Sequence, residues 1–269
     1  MSDAYELMLK TNYRIILGEN IVDAEKHNIT ERLLGAKSTR EQVRRFYGGV
    51  GFAGNIEENA SRMYPEFFIP PYNNGIKYRT VLGQMPKTQI LSANMYELEI
   101  LRLLKILAPD NPEINDMVCK TLARLKTTCF GYQDDGKGEC FDASLIVLRF
   151  LAAAAPNETI WIQSRIDNFN RHYAEKKRPR FCIWYYWLCM SELPFKMVET
   201  EIDMYRAEML NWICNKSCVI NSEHDKTFHS VILCILRNNI SRYPEYRYIK
   251  DRLPYVNVCG KRLRFDMKQ

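Results

Sequence analysis

The sequence contains no apolar run long enough to cross a membrane. Its longest apolar run, residues 145–155, is interrupted by Arg149 and is shorter than the about 18 residues that a spanning helix requires. The opening residues, MSDAYELMLK, have no basic segment followed by an apolar run, which is the pattern of a secretion signal. We therefore expect a cytoplasmic protein without a membrane span.

Histidine is scarce, and no complete set of catalytic residues is recognisable. Only four histidines occur among 269 residues, which limits the general bases available to a nucleophilic mechanism. The nine cysteines are an odd number, and several lie in apolar stretches of helical periodicity. In a reducing compartment such thiols stay free and pack as small buried apolar groups. The sequence therefore assigns no reaction, cofactor or substrate and leaves open whether the chain is an enzyme.

Basic residues are in excess only near the end of the sequence. Residues 237–269 contain nine Lys or Arg and three Asp or Glu, which gives this segment a net charge of +6. The preceding 236 residues carry 29 basic and 29 acidic side chains and are neutral. A partner of negative charge would therefore be attracted to the last 33 residues.

Turn-forming residues divide the chain into two segments that differ in how regularly their apolar residues are spaced. Residues 1–92 show short helical patterns broken by glycine and proline, and residues 65–92 hold enough apolar groups to predict a loop that wraps the helical body. From residue 93 onwards the helical spacing of apolar residues becomes regular. We predict an irregular N-terminal segment, residues 1–92, and a helical body, residues 93–269, which together form one compact unit.

The helical body repeats a helix–proline–helix pattern. Pro109, Pro156, Pro194 and Pro244 are spaced by 47, 38 and 50 residues, and the first two follow closely similar apolar stretches. Proline ends one helix and fits the first turn of the next. Because one helical hairpin cannot bury its apolar helix on every side, such hairpins stack on one another. The pattern predicts an all-α array of antiparallel helical hairpins of unequal length.

A glycine–aromatic turn and a small polar loop precede one of these apolar helices, in FGYQDDGKGECFDASLIVLRFL, residues 130–151. In this layout, residues 93–245 resemble the repeats of the α/α-toroid group, which comprises terpenoid cyclases and protein prenyltransferases. The resemblance implies a closed ring of helices but no activity. Gln133-Asp134-Asp135 differs from the DxDD protonation motif of the cyclases, and the Asp-x-Cys and later His of a prenyltransferase zinc site are missing. A HEAT-like open solenoid fits the repeat equally well.

Carboxylates at the start of an apolar helix support an enzyme hypothesis. Asp134, Asp135 and Glu139 could act as a general acid or bind a cation at the mouth of a cavity. The aromatic side chains that would line this apolar cavity are Trp184, Tyr185, Trp187 and Phe141. The alternative is structural: Asp135-Gly136 forms a tight turn, acidic residues favour a helix N-terminus, and the aromatic residues are core.

A second cluster contains the residue types that bind zinc. Cys214, Cys218, His224 and His229 follow the spacing C-x3-C-x5-H-x4-H, and thiolate and imidazole are the preferred ligands of zinc. The spacing matches no common zinc module, and the cysteines stand in the helical frame of buried residues. Core cysteines and surface histidines are therefore the alternative to a metal site.

The basic end of the chain interleaves cations with aromatic residues. Its candidate anion-binding residues are Arg247, Lys250, Arg252, Lys261 and Arg262, and tyrosines stand between them. Phosphate contacts and base stacking together would use such a composition, whereas the alternative is an ordinary solvated face. The segments around Val256 and Leu263 flank Cys259-Gly260 and predict a small β-hairpin.

Three functional hypotheses follow. The helical array without a complete catalytic set favours a binding or regulatory module whose ligand is a protein or a small molecule. The first alternative is an enzyme of the cyclase, transferase or hydrolase kind, with an apolar aromatic cavity. The second alternative is binding of nucleic acid or another polyanion by the basic end.

Overall fold

A computed structural model describes residues 3–39, 41–42, 65–67, 78–86, 89–127, 138–174, 183–215, 218–257 and 262–267. The chain divides into two compact units. Unit 1 consists of Met1–Thr11 and Ile21–Arg180, whereas unit 2 consists of Asn12–Asn20 and Phe181–Gln269.

Unit 1 is built from helices. In chain order these are the first part of α1 (Asp3–Leu17), α2 (Asp23–Leu34), α3 (Gln89–Leu107), α4 (Pro112–Thr127), α5 (Gly138–Ala154) and α6 (Thr159–Ala174). Helix α3 packs mainly on α5, with α2 and α4 also against α3, and α6 against α5. Because α2 packs on α3, the compact units do not follow the predicted division at residue 92.

Helices α3 and α5 form the centre of unit 1. Residues 92–104 of α3 and 143–151 of α5 are buried without interruption. A helix that is apolar nearly all round must be covered on several sides, and the neighbouring helices provide that cover. Helix α4 is instead amphipathic, since it buries Ile114, Met117 and Leu125 on one face.

Helix α3 also carries charged side chains into this core. Glu97 is fully buried, forms an ion pair with Arg124 of α4, and accepts a hydrogen bond from the Thr121 hydroxyl at 3.2 Å. Burial raises the pKa of Glu97, and the charge of Arg124 opposes this shift. Two residues further on, Glu99 accepts hydrogen bonds from Nη1 of Arg149 of α5 at 2.7 and 2.9 Å.

Parts of the predicted wrapping segment lie within the described residues. Phe67, Tyr78 and Val81 are completely buried. The backbone N–H of Glu66 donates to the Glu97 carboxylate at 2.6 Å, and the Tyr5 hydroxyl bonds with the backbone of residue 79. These apolar and polar contacts fix the described parts of the segment within unit 1.

Unit 2 combines helices with a small sheet. Its elements after α1 are α7 (Ile183–Glu192), α8 (Phe195–Asn215), β1 (Cys218–Val219), α9 (Glu223–Ile240), a 3₁₀ helix (Pro244–Ile249), β2 (Tyr255–Val256) and β3 (Arg262–Arg264). Helix α9 packs on both α7 and α8, and the sheet contacts α9 through β3.

Each of the four spaced prolines stands where a helix ends or begins. Pro109 and Pro156 separate α3 from α4 and α5 from α6, Pro194 separates α7 from α8, and Pro244 begins the 3₁₀ helix. In the first of these turns, the Asn111 side chain accepts hydrogen bonds from the N–H groups of residues 113 and 114, which caps α4.

The sheet has three antiparallel strands in the order β1–β3–β2. Val256 faces Leu263, so the predicted C-terminal hairpin is confirmed. The strand β1 was not predicted, because a two-residue strand leaves no periodic pattern in the sequence.

The prediction of a mostly helical chain is also confirmed: the described residues form nine α-helices and one 3₁₀ helix. None of the helices within the described ranges combines the length and apolar character needed to cross a bilayer. The arrangement of the helix pairs as a ring or a solenoid stays a prediction.

Candidate anion-binding surface

The middle strand of the sheet presents two arginines on its outer side. Arg262 and Arg264 are exposed, whereas Leu263 between them is buried. Successive side chains of a strand point to opposite faces, so both arginines share the face that turns away from α9. Burial of Leu263 against α9 sets which face is outward, because a shift of one residue would exchange the faces.

The two edge strands add one apolar side chain each to this outer face. Val219 of β1 pairs with Arg262, and Tyr255 of β2 pairs with Arg264. Residues directly opposite in an antiparallel pair point to the same side. Val219 is 50% exposed and Tyr255 is 47% exposed. We call the four residues Val219, Tyr255, Arg262 and Arg264 the sheet face.

Local hydrogen bonds position the strands of the sheet face. The Ser222 side chain accepts a hydrogen bond from the N–H of Asp225 at 3.0 Å, which caps α9 three residues after β1 ends. The N–H of Asn257 donates to the carbonyl of Arg262 at 3.0 Å and continues the pairing of β2 with β3. These bonds fix the start of α9 shortly after β1 and extend the pairing of β2 with β3 by one residue.

Further basic residues lie around the end of the 3₁₀ helix, in a segment whose side chains contact the backbone of residues 266–267. Arg247 and Lys250 are exposed. Arg252 lies over the ring of Tyr248 and donates to the carbonyl of Asp266 at 3.2 Å. The Tyr248 hydroxyl donates to the carbonyl of Met267 at 2.8 Å, and residues 266–267 lie two and three positions after the end of β3. Arg247, Lys250 and Arg252 together with the sheet face form what we call the basic surface.

Acidic residues also stand close to this surface in the sequence, among them Glu223 and Asp225 in the first turn of α9. Asp251 and Asp266 are exposed next to it in the sequence. Glu245 lies 3.5 Å from Arg206 of α8, so part of its charge is balanced there. Lys261, the remaining predicted anion-binding residue, lies outside the described residues.

Two arginines of the basic C-terminal segment point inwards and donate hydrogen bonds to backbone carbonyl groups. Arg237 is buried and donates to the carbonyl groups of Ile16 and Leu17, both at 3.3 Å, at the end of α1. Arg242 donates to the carbonyls of Met190 at 2.7 Å and of Leu193, at the end of α7. A helix leaves its last carbonyl groups without intrahelical partners, and a cation there is favourable. The sequence gives no signal for this role.

Three of the four aromatic residues predicted to line a cavity, Trp184, Tyr185 and Trp187, lie on α7 in unit 2. Trp187 and Tyr185 are completely buried. The Trp184 ring meets the rings of Trp187 and Trp212 edge to face, both at 4.9 Å between centroids. Such distances are typical of packed aromatic pairs and account for the position of these rings without a ligand.

The predicted zinc ligands do not form a cluster. Cys214 and His224 are exposed and Cys218 is half-buried, while the His229 ring contacts the ring of Phe228. Burial raises the pKa of the Cys214 and Cys218 thiols, which disfavours the thiolate that binds metal. Among the residues that the structure describes, no group of three or more His, Cys, Asp or Glu side chains could hold a metal ion.

The side chains of the predicted catalytic carboxylates lie outside the part of the chain that the structure describes. Asp134 and Asp135 lie outside the described residues, as do the side chains of Glu139 and Phe141. Only the backbone of the last two is placed, in the first turn of α5. Of the predicted sites, the basic surface is therefore the one whose strand pairing, exposure and hydrogen bonds the structure describes most fully.

Comparison of the sequence with protein-family models gave no match, and comparisons with curated proteins and with solved structures gave none either. The likeness to the α/α-toroid group therefore remains a prediction from the sequence.

Proposed function

We propose that this chain is a binding module that holds nucleic acid by its phosphate backbone on the basic surface of unit 2. The observation that carries the proposal is the strand register, in which Arg262 and Arg264 stand side by side on the outer face of β3. We also propose that the helix pairs form a hairpin array, ring-like or solenoid, which serves as the rigid support of this surface.

The chemistry of the sheet face fits a chain of phosphates. A guanidinium group offers several fixed N–H donors and recognises a phosphate in a bidentate manner. Residues two apart in a strand are about 6.8 Å apart, so two such groups can contact neighbouring phosphates of one nucleic-acid strand. Arg247, Lys250 and Arg252 extend the positive charge beyond the sheet, which a polymeric anion uses better than a small one.

Salt dependence gives the first test. Binding of a fluorescently labelled oligonucleotide is measured by anisotropy at a series of salt concentrations, with wild type and an Arg262→Gln/Arg264→Gln variant. Five phosphate contacts to one strand predict a slope of log affinity against log salt of about −3.5, and loss of two reduces its magnitude by about 1.4. The matched control is Lys10→Gln/Arg32→Gln, which removes two exposed cations of unit 1.

The outcomes separate the alternatives. Weaker binding and a smaller slope in the sheet-face variant alone support the proposal. Equal losses in both double variants would reject the basic surface as the site, and no oligonucleotide binding by wild type would reject the function. Vesicles with anionic headgroups form a further arm: tighter binding to them than to the oligonucleotide would reject nucleic acid in favour of a membrane surface.

A further inference from the structure

Tyr255 differs from the other described aromatic side chains in its exposure and in its lack of contacts. It is the one aromatic residue among the exposed large apolar side chains of the described part of the chain. Within that part, its ring has no aromatic partner and its hydroxyl makes no hydrogen bond. Tyr243 and Tyr248, by contrast, each have a hydroxyl partner and a guanidinium group over the ring.

Tyr255 is also placed beside a cation. It pairs directly with Arg264, and paired side chains in an antiparallel sheet are close neighbours, about 5 Å apart at Cβ. A flat aromatic ring next to a guanidinium group can take a base and its adjoining phosphate at the same time. Base stacking on aromatic side chains is the main sequence-independent contact in single-strand recognition.

We infer that the ligand of the basic surface is single-stranded nucleic acid and that Tyr255 stacks on one of its bases while Arg264 holds the neighbouring phosphate. This inference rests on the proposed function and adds the strandedness of the ligand and the residue that selects it. In a duplex the faces of the bases are covered by their neighbours, so an exposed tyrosine finds no base to stack on except at an end.

The shape of the sheet agrees with one strand of nucleic acid. Three strands at about 4.8 Å spacing give a platform roughly 10 Å across, which suits a single chain of nucleotides. The apolar side chains Val219 and Tyr255 lie on opposite edges and are separated by the arginines of β3. The apolar area is therefore divided, whereas insertion into a membrane favours a continuous apolar face.

The test compares polyanions that differ in whether they carry bases and whether the faces of those bases are exposed; the single strand and the abasic strand also have equal charge. Wild-type protein is titrated with a single-stranded oligonucleotide, an abasic strand of the same length, the matching duplex and heparin. We expect Tyr255→Ala to weaken binding of the single strand by about tenfold or more, without effect on the abasic strand or heparin and without change in the salt slope. Tyr255→Phe keeps the ring and should bind as wild type does.

Leu253→Ala is the matched control, because Leu253 is also exposed and apolar but lies outside the strands. A 2-aminopurine base in the single strand gives a second readout, since stacking quenches its fluorescence. Quenching by wild type and by Tyr255→Phe, but not by Tyr255→Ala, supports the inference. Far-UV circular dichroism of each variant checks that the helices are intact.

Several results would overturn the inference while leaving the proposed function in place. They are equal affinity of wild type for the abasic and normal strands, equal affinity for the duplex, or an unchanged affinity in Tyr255→Ala. Absence of binding to every polyanion, heparin included, would instead remove both the inference and the proposed function.

Discussion

The ion pair between Glu99 of α3 and Arg149 of α5 predicts a large and specific cost for removing one of its members. The two side chains are 1% and 0% exposed, and Nη1 of Arg149 lies 2.7 and 2.9 Å from the two carboxylate oxygens. Arg149→Met keeps a long side chain in the core, so little cavity forms, but it leaves Glu99 without this counter-charge. We expect the free energy of unfolding to fall by about 3–5 kcal/mol.

The double variant Glu99→Gln/Arg149→Met separates electrostatics from packing. It removes both charges, so its loss of unfolding free energy should be smaller than that of Arg149→Met alone. The coupling energy of the cycle is then expected to reach about 2 kcal/mol, within the range seen for residues of one buried network. The loss of unfolding free energy expected for Arg149→Met is large, because proteins are typically stable by about 5–15 kcal/mol in total.

Urea unfolding followed by circular dichroism at 222 nm measures the four members of this cycle, with Glu99→Gln as the second single variant. Arg171→Met is the control, because Arg171 is an exposed arginine of α6 in the same unit, and its effect should lie within about 0.5 kcal/mol. A loss below 1 kcal/mol in Arg149→Met, or a coupling energy of zero, would refute the reasoning.

The remaining predictions concern other buried groups. Arg237→Met removes hydrogen bonds to carbonyl groups at the end of α1 and should lower the free energy of unfolding by about 2–3 kcal/mol; a loss below 1 kcal/mol in urea would contradict this. Burial raises the pKa of Glu97, despite the charge of Arg124, so the folded state binds its proton more tightly than the unfolded state does. The stability of wild type relative to Glu97→Gln should therefore fall as pH rises from the ordinary value of 4.5 through the raised folded value, and a difference independent of pH would argue against it. Burial raises the pKa of Cys234 to about 11, so iodoacetamide at pH 8 should label the exposed Cys119 and spare Cys234 in native protein, as peptide mass spectrometry can check; equal labelling would be inconsistent with the fold.

The elements that the sequence predicts well are those that local rules determine. Pro109, Pro156, Pro194 and Pro244 mark helix boundaries because proline lacks an N–H and fixes its own φ angle. The buried centre of unit 1 follows from the apolar stretch of α5, which lacks a polar face. The hairpin of β2 and β3 follows from alternating residues on either side of a turn.

The burial of charged residues does not follow from local rules, since the sequence shows a charged side chain but not the partner that neutralises it. Glu97 and Glu99 interrupt the apolar pattern of α3 as surface residues would, yet both are buried against arginines of neighbouring helices. Similarly, Val219 belongs to the sheet face because β1 pairs with β3, a strand more than forty residues away in the sequence. Such long-range contacts leave no local periodicity to detect.

The excess of basic residues at the end of the chain therefore combines two roles. Arg237 reaches the end of α1 and, through Nη1, the backbone carbonyl of Arg252 at 2.7 Å. A lysine has one nitrogen and could not bridge carbonyl groups that lie in different directions, whereas a guanidinium has three. The same buried arginine that caps α1 thus also holds the backbone of the segment that carries Arg252.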